Sequence, residues 1–154
     1  MSRCHRGSGR GFTLVELLVV MAIAALIMTA MPALLSAALP GMELKSSARQ
    51  TAATLRLARE LAIQRGEPIA VIIDLEGHRL TLPGKRPLSI PERLDLSFEI
   101  AGSELIDAQR GTIRFFPDGS STGGRLTLAY RGHGYQVGVA WLTGRIALDT
   151  WSER

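Results

Sequence analysis

Apolar positions run almost unbroken from residue 12 to residue 39. After Pro40-Gly41 they recur only every third or fourth residue. Between residues 17 and 28 there is no polar side chain at all. As a helix, residues 12–39 extend roughly 40 Å at about 1.5 Å per residue, more than the hydrocarbon core of a bilayer, about 30 Å. In that solvent every backbone group must be bonded within the segment, so the pattern predicts a transmembrane helix. Pro40-Gly41 reads as a break or bend, because proline withholds a donor and glycine tolerates unusual dihedrals.

Periodicity then resumes at helical spacing. Leu44, Ala48, Thr51, Leu55, Ala58 and Ala62 form one stripe, with Lys45, Arg49, Arg56, Arg59 and Glu60 largely off it. This predicts an amphipathic helix over residues 40–66, apolar stripe inward, with Arg56, Arg59 and Arg65 on a solvated face. Gly66 is the expected stop, and Pro68 follows it.

Beyond Gly66 the period shortens to that of strands. Residues 69–74 and 79–82 flank Leu75-Glu76-Gly77-His78, a hairpin turn. Residues 83–87 and 91–93 read as loops. Residues 94–100 alternate as Leu94, Leu96, Phe98 and Ile100, and residues 112–116, 125–131, 135–142 and 145–150 complete the strands. The expected fold is α+β: a long N-terminal helix, then an antiparallel sheet domain over residues 67–154. The helix stripe covers one sheet face and the other face is left to solvent or neighbours. Trp141 and Trp151, on alternating strands, are expected in the core.

The chain has 154 residues and a formal charge of +4, but Arg3, Arg6 and Arg10 precede the apolar run. Without residues 1–11, 15 basic and 14 acidic groups remain. The high overall basicity is therefore partly that of the first eleven residues, and it is weak support for nucleic-acid binding, which shows a clustered basic face. Aromatic content of 5% also argues against a stacking platform for single strands. The three arginines favour a cytoplasmic N-terminus and a C-terminal domain across the membrane. The single cysteine, Cys4, also lies in this leading segment, so residues 12–154 can form no disulfide.

Glu16 stands out. A carboxylate near the start of an apolar helix costs on the order of a few kcal/mol at the bilayer centre and less near its edge, so it needs a partner. If the chain is cut after Gly11, Phe12 gains a free amine one helical turn before Glu16. The amine of one subunit could then pair with the Glu16 carboxylate of its neighbour and set the register of helices packed side by side. The helix N-terminus also favours negative charge. An ordinary signal peptide cut at Ala22-Ile23-Ala24 would carry Glu16 in its apolar core, and an unprocessed single-pass anchor gives Glu16 no role.

Gly11-Phe12-Thr13-Leu14-Val15-Glu16 resembles the cleavage and methylation motif of type IV prepilins and type II secretion pseudopilins. The resemblance implies that residues 1–11 are a leader removed by a prepilin peptidase after Gly11, that Phe12 is then N-methylated, and that Glu16 forms the assembly salt bridge. The proline that kinks this helix in many relatives has its counterpart, one residue earlier, in Pro32. Gly111-Thr112-Ile113-Arg114-Phe115-Phe116-Pro117-Asp118-Gly119 and the closing Trp141-Leu142-Thr143-Gly144-Arg145 look like H-type minor pseudopilins. That implies a structural subunit near the tip of the type II secretion pseudopilus, assisting export of folded proteins across the outer membrane. Its partners would be other pseudopilins, major and minor, through the N-terminal helix, together with the prepilin peptidase and the inner-membrane assembly platform. It would sit in the inner membrane as a single-pass protein, with a periplasmic C-terminal domain that joins the periplasmic fibre. The related FimT-like minor pilins of type IV pili supply the alternative, a DNA-binding subunit in DNA uptake.

No enzyme constellation is expected. Gly119-Ser120-Ser121-Thr122-Gly123 matches G-x-S-x-G, but a strand pattern follows where a helix is needed, and no carboxylate lies between Ser121 and His133. Gly132-x-Gly134 is followed by no helix pattern and reads as a turn. The run around Gly119 lacks the lysine of a phosphate loop, and no nucleotide or other cofactor is expected. His78 and His133 read as exposed turn residues. With only Asp149 and Glu153 near the C-terminus, no metal site is expected.

Overall fold

The computed structural model describes residues 12–152, apart from the side chains of residues 29–40. Gly11 and the scission expected there lie outside the described residues. The chain divides into two units at the Leu39–Pro40 boundary.

Helix α1 spans Leu14–Arg65. Its backbone is helical through Pro32 and through Pro40-Gly41, so the break expected at the dipeptide does not occur. A proline removes one bond of the ladder and a glycine costs about 1 kcal/mol relative to alanine. The Ala-, Leu- and Met-rich stretches on both sides propagate across them. The helix stops at Gly66. That residue adopts a left-handed φ of 69° and donates its N–H to the Ala62 carbonyl at 3.1 Å, an αL cap open to glycine without a Cβ penalty.

Eight strands follow: β1 (Ile69–Asp74), β2 (Arg79–Thr81), β3 (Leu88–Ser89), β4 (Asp95–Glu99), β5 (Arg110–Phe115), β6 (Gly124–Tyr130), β7 (His133–Val139) and β8 (Ile146–Ser152). A short 3-10 turn, Gly102–Glu104, lies between β4 and β5. The strands form two antiparallel four-stranded sheets, in the orders β3-β2-β1-β5 and β4-β6-β7-β8, rather than the single sheet expected. Alternation reveals a strand but not its partner. Here β1 takes β5 as its second neighbour across some forty residues, while β4 pairs with β6. The fold class, a long helix with antiparallel sheet, is as expected.

One core joins the helix to both sheets. All six stripe positions, Leu44 through Ala62, are buried, with Leu55, Ala58 and Ala62 at zero exposure. Against them lie Val71, Ile73, Ile113 and Phe115 from the first sheet and Leu126, Leu128 and Val137 from the second. Trp141 does not join them. The strand expected over residues 135–142 ends at Val139, and Ala140 opens the turn into β8. Gly144 donates to the Ala140 carbonyl at 2.8 Å, which lifts Trp141 and Leu142 off the sheet to 69% and 66% exposure. Trp151, in β8, is half-buried.

The first hairpin is fixed by Asp74. One carboxylate oxygen accepts the Gly77 N–H at 2.8 Å, and the other accepts Arg79 Nε at 2.9 Å and pairs with Nη2 at 2.8 Å. The Gly77 N–H first, and then the Arg79 guanidinium, hold this carboxyl below the ordinary Asp value of 3.8 despite its burial. A carboxyl whose folded-state pKa lies below its unfolded value stabilises the fold above the unfolded pKa. That stability is lost as pH falls through the folded value. The urea midpoint of the chain should therefore drop as the pH falls below about 5, through the ordinary Asp value of 3.8 and beyond it, and Asp74→Asn should flatten part of that drop. An unchanged pH profile in the variant would remove Asp74 from the account.

Candidate assembly site

The first turn of α1 is built by Thr13 and Glu16. Thr13 Oγ1 accepts the Glu16 backbone N–H at 3.2 Å, and the Thr13 carbonyl accepts the Leu17 N–H at 3.2 Å. Thr13 is thus the N-cap, and Thr13-Leu14-Val15-Glu16 has the S/T-x-x-E spacing of a capping box. The spacing was present in the sequence and is a sufficient signal for the cap. It places the Glu16 carboxylate in the first turn, where the helix dipole favours it. Phe12 precedes the cap and is 73% exposed. From Phe12 to Met28 every residue is exposed, on all faces of the helix. An apolar surface of this extent marks a segment made to be covered by lipid or by other helices.

Among the described residues no helix is long and apolar enough to cross a membrane. The part of α1 described with side chains in this unit, residues 14–28, is roughly 22 Å long by the helical rise, against the roughly 30 Å of a hydrocarbon core. The rest of the span expected over residues 12–39 falls on residues 29–40.

A second constellation ties the C-terminal end of α1 to the sheets. Phe115 is a fully buried core residue at the end of β5. Beyond it Phe116-Pro117-Asp118-Gly119 makes a tight turn, with Gly119 N–H on the Phe116 carbonyl at 2.9 Å and φ of 84° at Gly119. Asp118 Oδ1 accepts the Ser120 N–H at 2.9 Å and its hydroxyl at 2.6 Å. The Ser120 hydroxyl, then its N–H, hold the Asp118 carboxyl below its ordinary value. Arg59 reaches across from α1, and its Nε donates to the Gly119 carbonyl at 3.0 Å. It is half-buried rather than part of a solvated face, because the turn presents a carbonyl within its reach. A Cβ on Gly144 would stand 2.3 Å from that same carbonyl oxygen and 2.9 Å from Arg59 Nε. Glycine is required there for close approach as well as for its φ of 58°. Nothing in the sequence marked Arg59 for this role, since one arginine off an apolar stripe resembles any other.

Ser121 sits in the same network. Its N–H donates to the Trp141 carbonyl at 2.8 Å and its hydroxyl to the Ala140 carbonyl at 3.3 Å, while the hydroxyl accepts the Gly123 N–H at 3.0 Å. Strand β6 follows, so the serine closes a joint between strands instead of topping a strand–helix elbow. His133 opens β7 and is exposed, and His78 lies half-buried in the first hairpin with φ of 44°. Asp149 is exposed on β8, and Glu153 lies outside the described residues.

A capped, apolar N-terminal helix whose second half is docked on antiparallel sheets, with a turn-and-arginine joint holding it there, defines a pilin-like subunit. The family model for type II transport protein GspH matches residues 47–143, and that of the prokaryotic N-terminal methylation motif matches residues 6–32. The type II secretion system protein H of Xanthomonas campestris pv. campestris is 36% identical over 137 residues, covering 89% of this chain and 81% of that protein. The minor pseudopilin EpsH from the type 2 secretion system of Vibrio cholerae superposes with a TM-score of 0.58 at 22% identity, covering 73% of this chain and 99% of that one. The type IV minor pilin FimU of Pseudomonas aeruginosa gives 0.54 at 20% identity, covering 71% and 90%. At such identities the two structures speak for the fold alone. The chain belongs to the GspH family, the H-type minor pseudopilins of type II secretion, a family of structural subunits.

Proposed function

We propose that this subunit is made as a precursor, cut after Gly11 by a prepilin peptidase and N-methylated on Phe12. It spans the inner membrane once, N-terminus cytoplasmic and C-terminal domain periplasmic. From there, through the assembly platform, it joins other pseudopilins near the tip of the periplasmic fibre that assists export of folded proteins. The Glu16 carboxylate pairs with the Phe12 ammonium of an adjacent subunit. The observation that carries this reading is the placement of Glu16: a carboxylate in a capped first turn, on a stretch of helix, residues 14–28, that is otherwise apolar and exposed on every face. Such a charge is unfavourable in lipid alone and favourable when paired.

Mass spectrometry of the protein purified from its own membranes is expected to find N-methylated Phe12 as the first residue. Gly11→Trp should leave only the uncut form, longer by residues 1–11, with secretion abolished. A mature form of the variant beginning at Phe12 would show that the cut does not depend on Gly11. Likeness to FimU keeps a type IV pilus role in view through the fold only. The near balance of charge beyond residue 11 supports the secretion reading over DNA uptake.

A further inference from the structure

Between the outer side of α1 and the β7–β8 turn lies an open cleft of about 650 Å³, lined by Arg56, Arg59 and Arg145 with Glu60 as its one carboxylate. Among the described residues none of the three arginines is ion-paired. Arg59 spends its Nε on the Gly119 carbonyl, and Arg56 and Arg145 are exposed. Among the described residues the six arginines that do form ion pairs lie elsewhere, so this cleft, three arginines against one glutamate, concentrates net positive charge in a domain whose overall charge is near balance. The turn forming one wall also carries Trp141 and Leu142, held outward by the Gly144–Ala140 hydrogen bond at 69% and 66% exposure. Exposed Trp beside Arg is the composition of an interface anchor.

We propose that this cleft is a docking surface for an acidic segment of a neighbouring protein subunit, its carboxylates held by the Arg56, Arg59 and Arg145 guanidinium groups and an adjacent apolar side chain resting on Trp141 and Leu142. Guanidinium forks match carboxylates in geometry as well as charge. The exposed Trp141 and Leu142 of the same turn fit a peptide rather than a sugar–phosphate backbone. A second copy docking through the same face would bring the arginines against one another, so the occupant is a different chain. Only the source of the segment, another fibre subunit, rests on the function proposed above. The cleft itself is tested without a fibre, so either reading can fail alone.

The test uses the full chain in detergent and three labelled probes: a helical peptide of glutamate and leucine, the same peptide with glutamine for glutamate, and duplex DNA. The acidic peptide should bind with a salt-dependent affinity, and the glutamine peptide about tenfold or more weaker. Arg56→Glu with Arg145→Glu should weaken the acidic peptide by about tenfold or more, and Leu142→Ser by a smaller factor. Lys85→Glu with Arg86→Glu, in the remote loop after β2, should change nothing. Equal binding of the two peptides, or equal loss in the loop variant, would overturn the proposal. So would tighter binding of DNA, or self-association that the Arg56/Arg145 reversal disperses.

Discussion

Glu16→Ala is expected to be cut and N-methylated as efficiently as the parent protein, yet to fall at least tenfold in its incorporation into the fibre, with secretion falling in step. The two effects separate because they depend on different groups. The backbone N–H of residue 16 still bonds Thr13 Oγ1, whatever the side chain, so the helix start presented to the peptidase persists. What disappears is the carboxylate. In the pairing proposed above, a neighbour's terminal ammonium, brought into an apolar environment to meet it, is left without a counter-charge. Breaking a buried pair by removing one partner costs about 3–5 kcal/mol, a factor of hundreds or more in an association constant. Glu16→Gln keeps the shape without the charge and should behave like the alanine variant. Glu16→Asp keeps the charge on a shorter arm and should recover part of the incorporation. Incorporation of the glutamine variant at the parental level, measured by co-purification with sheared fibres, would mean that the charge is not what sets the register.

The helix was the most legible part of the chain, because its signals are local. Spacing alone placed the Leu44–Ala62 stripe, and Gly66 ended the helix where the αL cap is found. Seven of the eight strands were legible as segments for the same reason, all but the two-residue β3, and the Leu75–His78 turn joins its two strands as expected. Three misses come from contacts that local periodicity does not encode. Which strands share a sheet depends on pairings such as Val71↔Ile113, which alternation does not encode. Trp141 looked like a strand residue until the Gly144–Ala140 hydrogen bond turned the chain one residue before it. Arg59 looked solvated because its partner, the Gly119 carbonyl, lies sixty residues away. The expected break at Pro40-Gly41 failed for the opposite reason, since strong local helix formers on both sides outweighed two weak positions. The motif around Phe116-Pro117-Asp118-Gly119 was readable as a family signature, but its physical purpose became visible only with Arg59 and Gly144 in place.

That joint and the stripe share one core, which fixes where a single truncation does most harm. Leu55 is fully buried midway along the docked part of α1, in the cluster that also holds Val71, Phe115 and Leu126. Leu55→Ala removes the more deeply buried of the stripe's two leucines, in the cluster that holds residues of both sheets. Neighbouring alanines at positions 52 and 58 have no reach with which to refill the space. The expected loss is about 2–5 kcal/mol, from lost transfer energy plus an unfilled cavity. Against a typical total of about 5–15 kcal/mol, and with no disulfide available beyond residue 11, that is a large fraction of the stability. Leu57, two residues on and 36% exposed, should cost well under half as much on the same change. Urea unfolding of the full chain in detergent, followed by tryptophan fluorescence, reads both values. Because helix and sheets share the core, Leu55→Ala should lower a single cooperative midpoint, whereas separate melting of the helix would show that the stripe is not integral to the sheet domain. Secretion supported by Leu55→Ala should accordingly fail on warming while precursor cleavage continues, since the cut proposed after Gly11 falls in the other unit of the chain.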